Sequence, residues 1–293
     1  MDPSKTSQTI DVPILGVGRK DPLSQRLANY PWWFVAIILI AIWTGFIIFT
    51  KESYSEAFNF IKIGIKITVF TSLTAFAIAL IIGLITGMGR ISNNVVAKNV
   101  ATLYVEMIRG IPMLVLIFYI ALVGVPNVVD MLNSLGEWIS SKGLEVLSLP
   151  FLAIRNDNIS MNARAVIALA VTYGAFLAEI FRAGIQSIGR GQMEAARSVG
   201  MSSGQAMRYI ILPQAIRNVL PALGNDFVAM IKDSALVSVL AVRDITQVAR
   251  LYAGRSFRFE EAYSTLAVMY LTITVILSLL VRYAERRMRK DEQ

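Results

Sequence analysis

Residues 191–213 read GQMEAARSVGMSSGQAMRYIILP, a polar interlude between two long apolar runs. Glu194, Ala195 and Ala196 favour helix. Gly200 stands where a helix C-terminus wants a residue at positive φ. Met201, Ser202 and Ser203 form the turn, and Ser202 or Ser203 can cap a second helix running through Gln205 to Leu212. Pro213 is expected to disrupt or end that helix. The predicted shape is a rigid L: short helix, glycine turn, second helix. Its small alanines permit close approach in a partner's groove, and Glu194 with Arg197 offers polar contacts.

Outward from this stretch the chain is dominated by apolar runs. Hydrophobic residues make up 55% of the 293 and charged residues 16%, against about 25% charged in an average soluble domain. The runs are about 20 residues long, the length that crosses roughly 30 Å of hydrocarbon. The expected fold class is therefore an all-α membrane protein with about six transmembrane helices, over residues 31–49, 60–88, 101–123, 163–188, 220–242 and 262–281. Connecting segments set the orientation, because cytoplasmic loops collect Lys and Arg. The segment 189–219 holds Arg190, Arg197, Arg208 and Arg217 against Glu194 alone, so it is placed inside. Segment 89–99 carries Arg90 and Lys98 and no acid, and belongs on the same side. Segment 124–162 has more acids than bases and is placed outside, with surface helices around 128–139. Six crossings with both termini cytoplasmic satisfy these charges.

Several function classes are excluded. The chain has no cysteine and no histidine, which removes thiolate and imidazole chemistry and the usual zinc ligand sets. No metal-ligand cluster is expected. No G-x-x-x-x-G-K-[ST] occurs, so the chain does not cradle nucleotide phosphates in the P-loop manner. The net charge of +8 gathers at the ends of apolar runs, so lipid rather than nucleic acid is the expected partner.

The pattern Glu194-Ala195-Ala196, three residues, Gly200, nine residues, then Ile210-Ile211-Leu212-Pro213 resembles the "EAA" signature of membrane subunits of ATP-binding-cassette importers. The resemblance extends over roughly residues 65–284. Tyr104 to Pro112 resembles the Y-x-E-x-x-R-G-x-P segment of the polar amino-acid permease branch, the histidine, glutamine and arginine type. Tyr173 to Gly184 is similar to its G-A-Y-x-x-E-x-x-R-G-G, departing at Phe176 and Ala183. Lys232-Asp233-Ser234-Ala235-Leu236 resembles its K-D-[ST]-S-L, with Ala235 in place of Ser.

This resemblance implies the type I importer (binding-protein-dependent permease) fold with a cytoplasmic coupling helix. Gly191, Gln192, Glu194, Ala195, Ala196, Arg197, Gly200, Leu212 and Pro213 would contact the ATPase. The implied partners are two ATP-binding subunits, a second permease subunit identical or paralogous, and an extracellular or periplasmic amino-acid-binding protein. No cofactor is implied for this chain, because ATP and Mg would sit on the partner subunits. The implied function is translocation of polar L-amino acids across the bacterial plasma (inner) membrane, with no enzymatic activity in the chain itself. An ion-coupled secondary transporter, or a transport-inactive sensor of the same fold, stands as the alternative. The expected organisation is a cytoplasmic tail over 1–30, an additional helix and connection over 31–59, the permease domain over 60–284 and a cytoplasmic tail over 285–293.

Charges inside the apolar runs are the candidate substrate path. Glu106 with Arg109, and Glu179 with Arg182, are each three apart and share a helix face. A charge at membrane depth is costly unless paired or wet, so these residues serve either as interhelical ion pairs or as a gate. Asp226, Lys232 and Asp233 interrupt the fifth run, with Pro221 and Gly224 expected to weaken the helix upstream. A helix broken at membrane depth can present backbone groups and charges to a zwitterion. Lys232, Asp233 and Ser234 are therefore candidates, as are Tyr173 and Gly174, for which simple helix packing is the competing reading.

Overall fold

The computed structural model describes residues 32–290, and every regular element among them is helical. The tail expected over 1–30 and the last three residues of the chain lie outside the described residues. The described residues fall into two units, one ending at residue 43 and one beginning at residue 44. In the first, the described residues open α1 (Trp32–Thr50), an apolar helix without an acid in its first turn.

The second unit continues with α2 (Glu52–Ile61), a 3₁₀ turn at Lys62–Gly64, α3 (Ile65–Ile91), α4 (Val95–Gly110) and α5 (Met113–Tyr119). A π turn at Ile120–Gly124 leads into α6 (Val125–Ser141), followed by α7 (Glu145–Leu152), α8 (Met161–Gln186), α9 (Arg190–Ser198) and α10 (Ser203–Ala206). A second π turn at Met207–Ile211 joins α10 to α11 (Leu212–Asp233). A 3₁₀ segment, Ser234–Leu240, precedes α12 (Ile245–Ser256) and α13 (Phe259–Lys290). Among the described residues, four stretches are long and apolar enough to cross a membrane: Glu52–Ile91, Met113–Ser141, Met161–Gln186 and Phe259–Arg287. Val35–Ile48 is a shorter apolar helix. α11, with Arg217, Asp226, Lys232 and Asp233, is not one of the four, although a span was expected over 220–242.

Helices α3 and α8 form the spine. α3 turns Thr71, Ala75, Ala79, Gly83 and Gly87 inward at four-residue spacing, a ridge of small side chains that lets backbones meet closely, as helices do in lipid. A Cβ on Gly83 would lie 2.7 Å from Leu177 Cβ, and one on Gly87 2.8 Å from the Ala178 carbonyl oxygen. α11 packs against α8 and α13 by the same device, with Gly184 against Val219 and Gly224 against Val281. A separate cluster joins α2, α12 and the start of α13 through Ile61, Ile245, Tyr252 and Leu266. There Gly64 admits the backbone of Ile245, whose N–H donates to Thr68 Oγ1 at 3.1 Å.

The structure corrects several expectations. The third span does not run over 101–123. α4 stops at Gly110, Pro112 caps a new helix, and that helix continues through the π turn to Ser141. The connection expected outside therefore begins near 142, and the stretch 128–139 belongs to the apolar helix Met113–Ser141. Segment 51–59 is helix α2 rather than a polar connection. Pro213 does not end the second helix of the loop. The π turn before it loosens the hydrogen-bond ladder where proline lacks an N–H, so the helix passes on into α11. α11 likewise runs unbroken past Pro221, Gly224 and Asp226, because Gly224 serves close packing on Val281. The break falls later, at Ser234–Leu240, ending on Ala241 at φ 57.

Candidate functional site

The loop between α8 and α11 is built from two interlocking caps. At the end of α9, Gly200 has φ 87. Its N–H donates to the Arg197 carbonyl at 3.0 Å, and the Met201 N–H donates to the Ala196 carbonyl at 3.2 Å. This is a Schellman arrangement, which needs a residue at positive φ. Two residues on, Ser202 Oγ accepts the Gln205 N–H, and the Gln205 side chain accepts the Ser202 N–H at 2.8 Å. The reciprocal bonds fix the start of α10. Ala196 and Met193 face inward, whereas Gly191, Gln192, Glu194, Ala195, Arg197 and Val199 are exposed. Leu212 is half-buried and Pro213 exposed on the helix that leads away. A cleft of about 740 Å³ separates α9 from the ends of α3 and α4, lined by Arg90, Lys98, Arg190, Met193 and Met207 among others.

Behind the loop lies a charged knot. Arg90, in the last turn of α3, donates through Nη1 to Glu179 Oε2 on α8 at 2.5 Å and through Nη2 to Glu106 Oε1 on α4 at 3.3 Å. Arg182 pairs with Glu179 one turn away and reaches Gln186 at 2.8 Å. The Arg90 side chain is only 14% exposed, so its two carboxylate partners offset the cost of withdrawing it from water. Glu179 and Arg182 thus pair as their spacing predicts. Glu106 pairs with Arg90 instead of Arg109, and Arg109 is exposed with no salt bridge among the described residues.

A second polar point sits higher in the bundle. The Tyr173 hydroxyl of α8 donates to Asp233 Oδ2 at the end of α11 at 2.7 Å. Ser234, buried at the start of the 3₁₀ segment, donates to the Ile231 carbonyl. Asp226 lies two turns before Asp233 and is half-buried, whereas Lys232 is exposed. Gly174 is elsewhere. A Cβ there would lie 2.6 Å from Ile82 and 2.9 Å from the Tyr104 hydroxyl, so it serves helix packing and does not share a surface with Asp233.

Residues 79–290 match the family of binding-protein-dependent transport system inner membrane components. The chain belongs to that family. This permease is 34% identical over 226 residues to the glutamine transport system permease protein GlnP of Escherichia coli K12, covering 77% of this chain and 91% of that one. It is 35% identical over 236 residues to the probable glutamine ABC transporter permease protein GlnM of Bacillus subtilis, covering 80% and 96%. A crystal structure of an amino acid ABC transporter with histidines aligns with a TM-score of 0.62 at 36% identity, covering 80% of the permease and 95% of that chain. The fold is the type I importer fold. The permease is a membrane component that works with a separate ATPase and a substrate-binding protein, and it is not itself the ATPase.

Arg90 is the site residue that sequence reading did not single out. In sequence it is one of two cations in a short inner loop, and it counts only toward orientation. Its partners lie 16 and 89 residues away, a separation that no helical spacing reveals.

Proposed function

We propose that this chain is the permease subunit of an importer for polar L-amino acids in the bacterial inner membrane, with both termini cytoplasmic. The observation that carries the reading is the twice-capped α9–α10 element, whose exposed Glu194, Ala195, Arg197 and Val199 form a face free to dock on an ATPase. The helix leaving that element runs from Ser203 through the π turn to Asp233. Movement of α9 would therefore be delivered along about 45 Å of helix, at about 1.5 Å per residue, to the carboxylate held by Tyr173. Two ATPase subunits would each engage one α9, and a second permease subunit, identical or paralogous, would complete the path. The transport unit is residues 60–284, with 31–59 an added helix and connection and residues 1–30 and 285–293 cytoplasmic tails.

Within that unit, Tyr173, Asp233 and Ser234, with Asp226 beside them, are proposed to face the substrate, and Lys232 to bind or steer it. Arg90, Glu106, Glu179 and Arg182 are proposed to hold the cytoplasmic ends of α3, α4 and α8 together, with Arg109 on the open side of that knot. The named relatives transport glutamine, and the solved relative is an amino acid transporter, which supports the substrate class. The test is uptake of each labelled amino acid into proteoliposomes containing the permease, its ATPase and its binding protein. ATP-dependent accumulation of one or more polar amino acids is expected. Accumulation that ignores ATP and collapses with an ion gradient refutes the reading.

A further inference from the structure

Helices α6 and α7 form a hairpin outside the motifs quoted above. Its turn is Lys142-Gly143, with Gly143 at φ 78. The two helices meet through small residues: a Cβ on Gly136 would lie 2.9 Å from Leu152 Cγ, and Ser148 is 2% exposed at the contact. The hairpin's base is tied down by polar bonds. Asn156 donates to Asp130 at 3.1 Å, and Arg164 donates to the carbonyls of Asn156, Ile159 and Ala121. The Ala121 carbonyl belongs to the π turn, so one arginine joins the segment after α7 to the helix Met113–Ser141.

The burial pattern of α7 is inverted relative to a helix that meets water. Serine faces the partner helix, while Val146, Leu147 and Leu149 are 80%, 61% and 62% exposed. Met131, Leu135 and Trp138 are exposed along α6 at spacings of four and three, on one face. A water-facing α7 would hide these side chains and show Ser148. Small residues at the contact and large apolar ones outside are the arrangement of helices packed in lipid. The base of the hairpin fixes its level: Arg164, in the first turn of the spanning helix α8, reaches the Ala121 carbonyl, so α6 leaves the bundle where α8 begins. Lys142 Nζ sits 5.9 Å from the Trp138 ring centroid, an amphipathic pair suited to an interface. The apolar surface of α6 also continues that of α5, where Val115, Phe118 and Leu122 are exposed in the spanning part of the same helix.

From this pattern we infer that the α6–α7 hairpin is an interfacial anchor, with the apolar face of α7 embedded in the outer-leaflet phospholipid. The side of the membrane rests on the cytoplasmic placement of α9 proposed above. The chain has no cysteine, so Leu147→Cys, Leu149→Cys and Asp157→Cys each introduce a single thiol. Spin-labelled full-length variants in phospholipid nanodiscs are read by collision with oxygen, which partitions into hydrocarbon, and with a water-soluble nickel chelate. The expected result is an oxygen-to-nickel ratio several-fold higher at 147 and 149 than at 157. Nickel-dominated collisions at 147 and 149 would overturn the inference. So would restriction from both reagents, whether accompanied by spin–spin broadening between permease copies or appearing only with the binding protein. In vesicles of known sidedness, Asp157→Cys should react with impermeant maleimide from outside. Reaction only from inside would overturn the outer-leaflet assignment and the orientation, while the oxygen ratios would still report lipid contact separately.

Discussion

Replacement of Gly200 tests the coupling element in isolation. A Cβ at this position would meet nothing within 4 Å, so crowding plays no part and the penalty is conformational alone. At φ 87 an L-residue with a Cβ pays about 1–2 kcal/mol, with valine at or above the top of that range because it is branched at Cβ. A cost of about 2 kcal/mol is roughly a thirtyfold loss of the Schellman geometry, at a factor of ten per about 1.4 kcal/mol. α9 buries only Ala196, so its fraying leaves the membrane helices intact. The assay is amino acid transported per ATP hydrolysed in proteoliposomes, alongside the thermal unfolding midpoint of the permease. Gly200→Val should lower the coupling ratio steeply without moving the midpoint, Gly200→Ala less so, and Gly200→Asn least, since Asn tolerates this region. Gly204→Ala, in α10 with open space around it, should leave both quantities near the parent values. A valine variant that couples normally would refute the cap as the device that holds α9.

Three further outcomes follow from the packing and the charges. Arg90→Gln should destabilise the folded permease by about 1–3 kcal/mol, because Glu179 and Glu106 lose a largely buried donor. In a double-mutant cycle read by thermal unfolding, the combination with Glu179→Gln should cost less than the two single losses together. Gly184→Ala would place its Cβ 2.1 Å from Val219 Cγ1, forcing α8 from α11 at a cost of about 1–3 kcal/mol. Val219→Ala should restore the unfolding midpoint of that variant, and no rescue would mean that the close approach is not the cause. Asp244 lies outside the spans, with Oδ1 accepting the Gln247 N–H at 2.8 Å and Oδ2 without a hydrogen-bond partner among the described residues. Burial pushes its carboxyl up to about 6. The folded state therefore holds the proton that the unfolded chain releases near pH 4. Stability should fall as pH rises from about 4 to 6, by on the order of 3 kcal/mol, and stay level above. Asp244→Asn keeps the cap and should flatten that limb in unfolding measured against pH.

The sequence by itself determined the class of the molecule and the identity of its loop. Apolar runs of spanning length, arginines gathered on one side and the spacing from Glu194 through Gly200 to Pro213 are local quantities, legible along the chain. So were the φ at Gly200 and a serine cap at 202 or 203, because a turn is decided by a few adjacent residues. Tertiary structure decided what depends on neighbours distant in sequence. Pro213 and Pro221 read as breakers, yet π-turn geometry and close packing carry the helix past them. Glu106 read as sharing a face with Arg109, open to an ion pair between helices or a gate, and only packing named Arg90 of another helix as its partner. Gly174 read as open between a site and helix packing, and Ile82 with the Tyr104 hydroxyl stands close against it. Tyr173 met Asp233 across 60 residues. Helical periodicity states which side chains share a face, whereas the choice of neighbour against that face is made by packing, where approach distance and the cost of a buried charge select the partner.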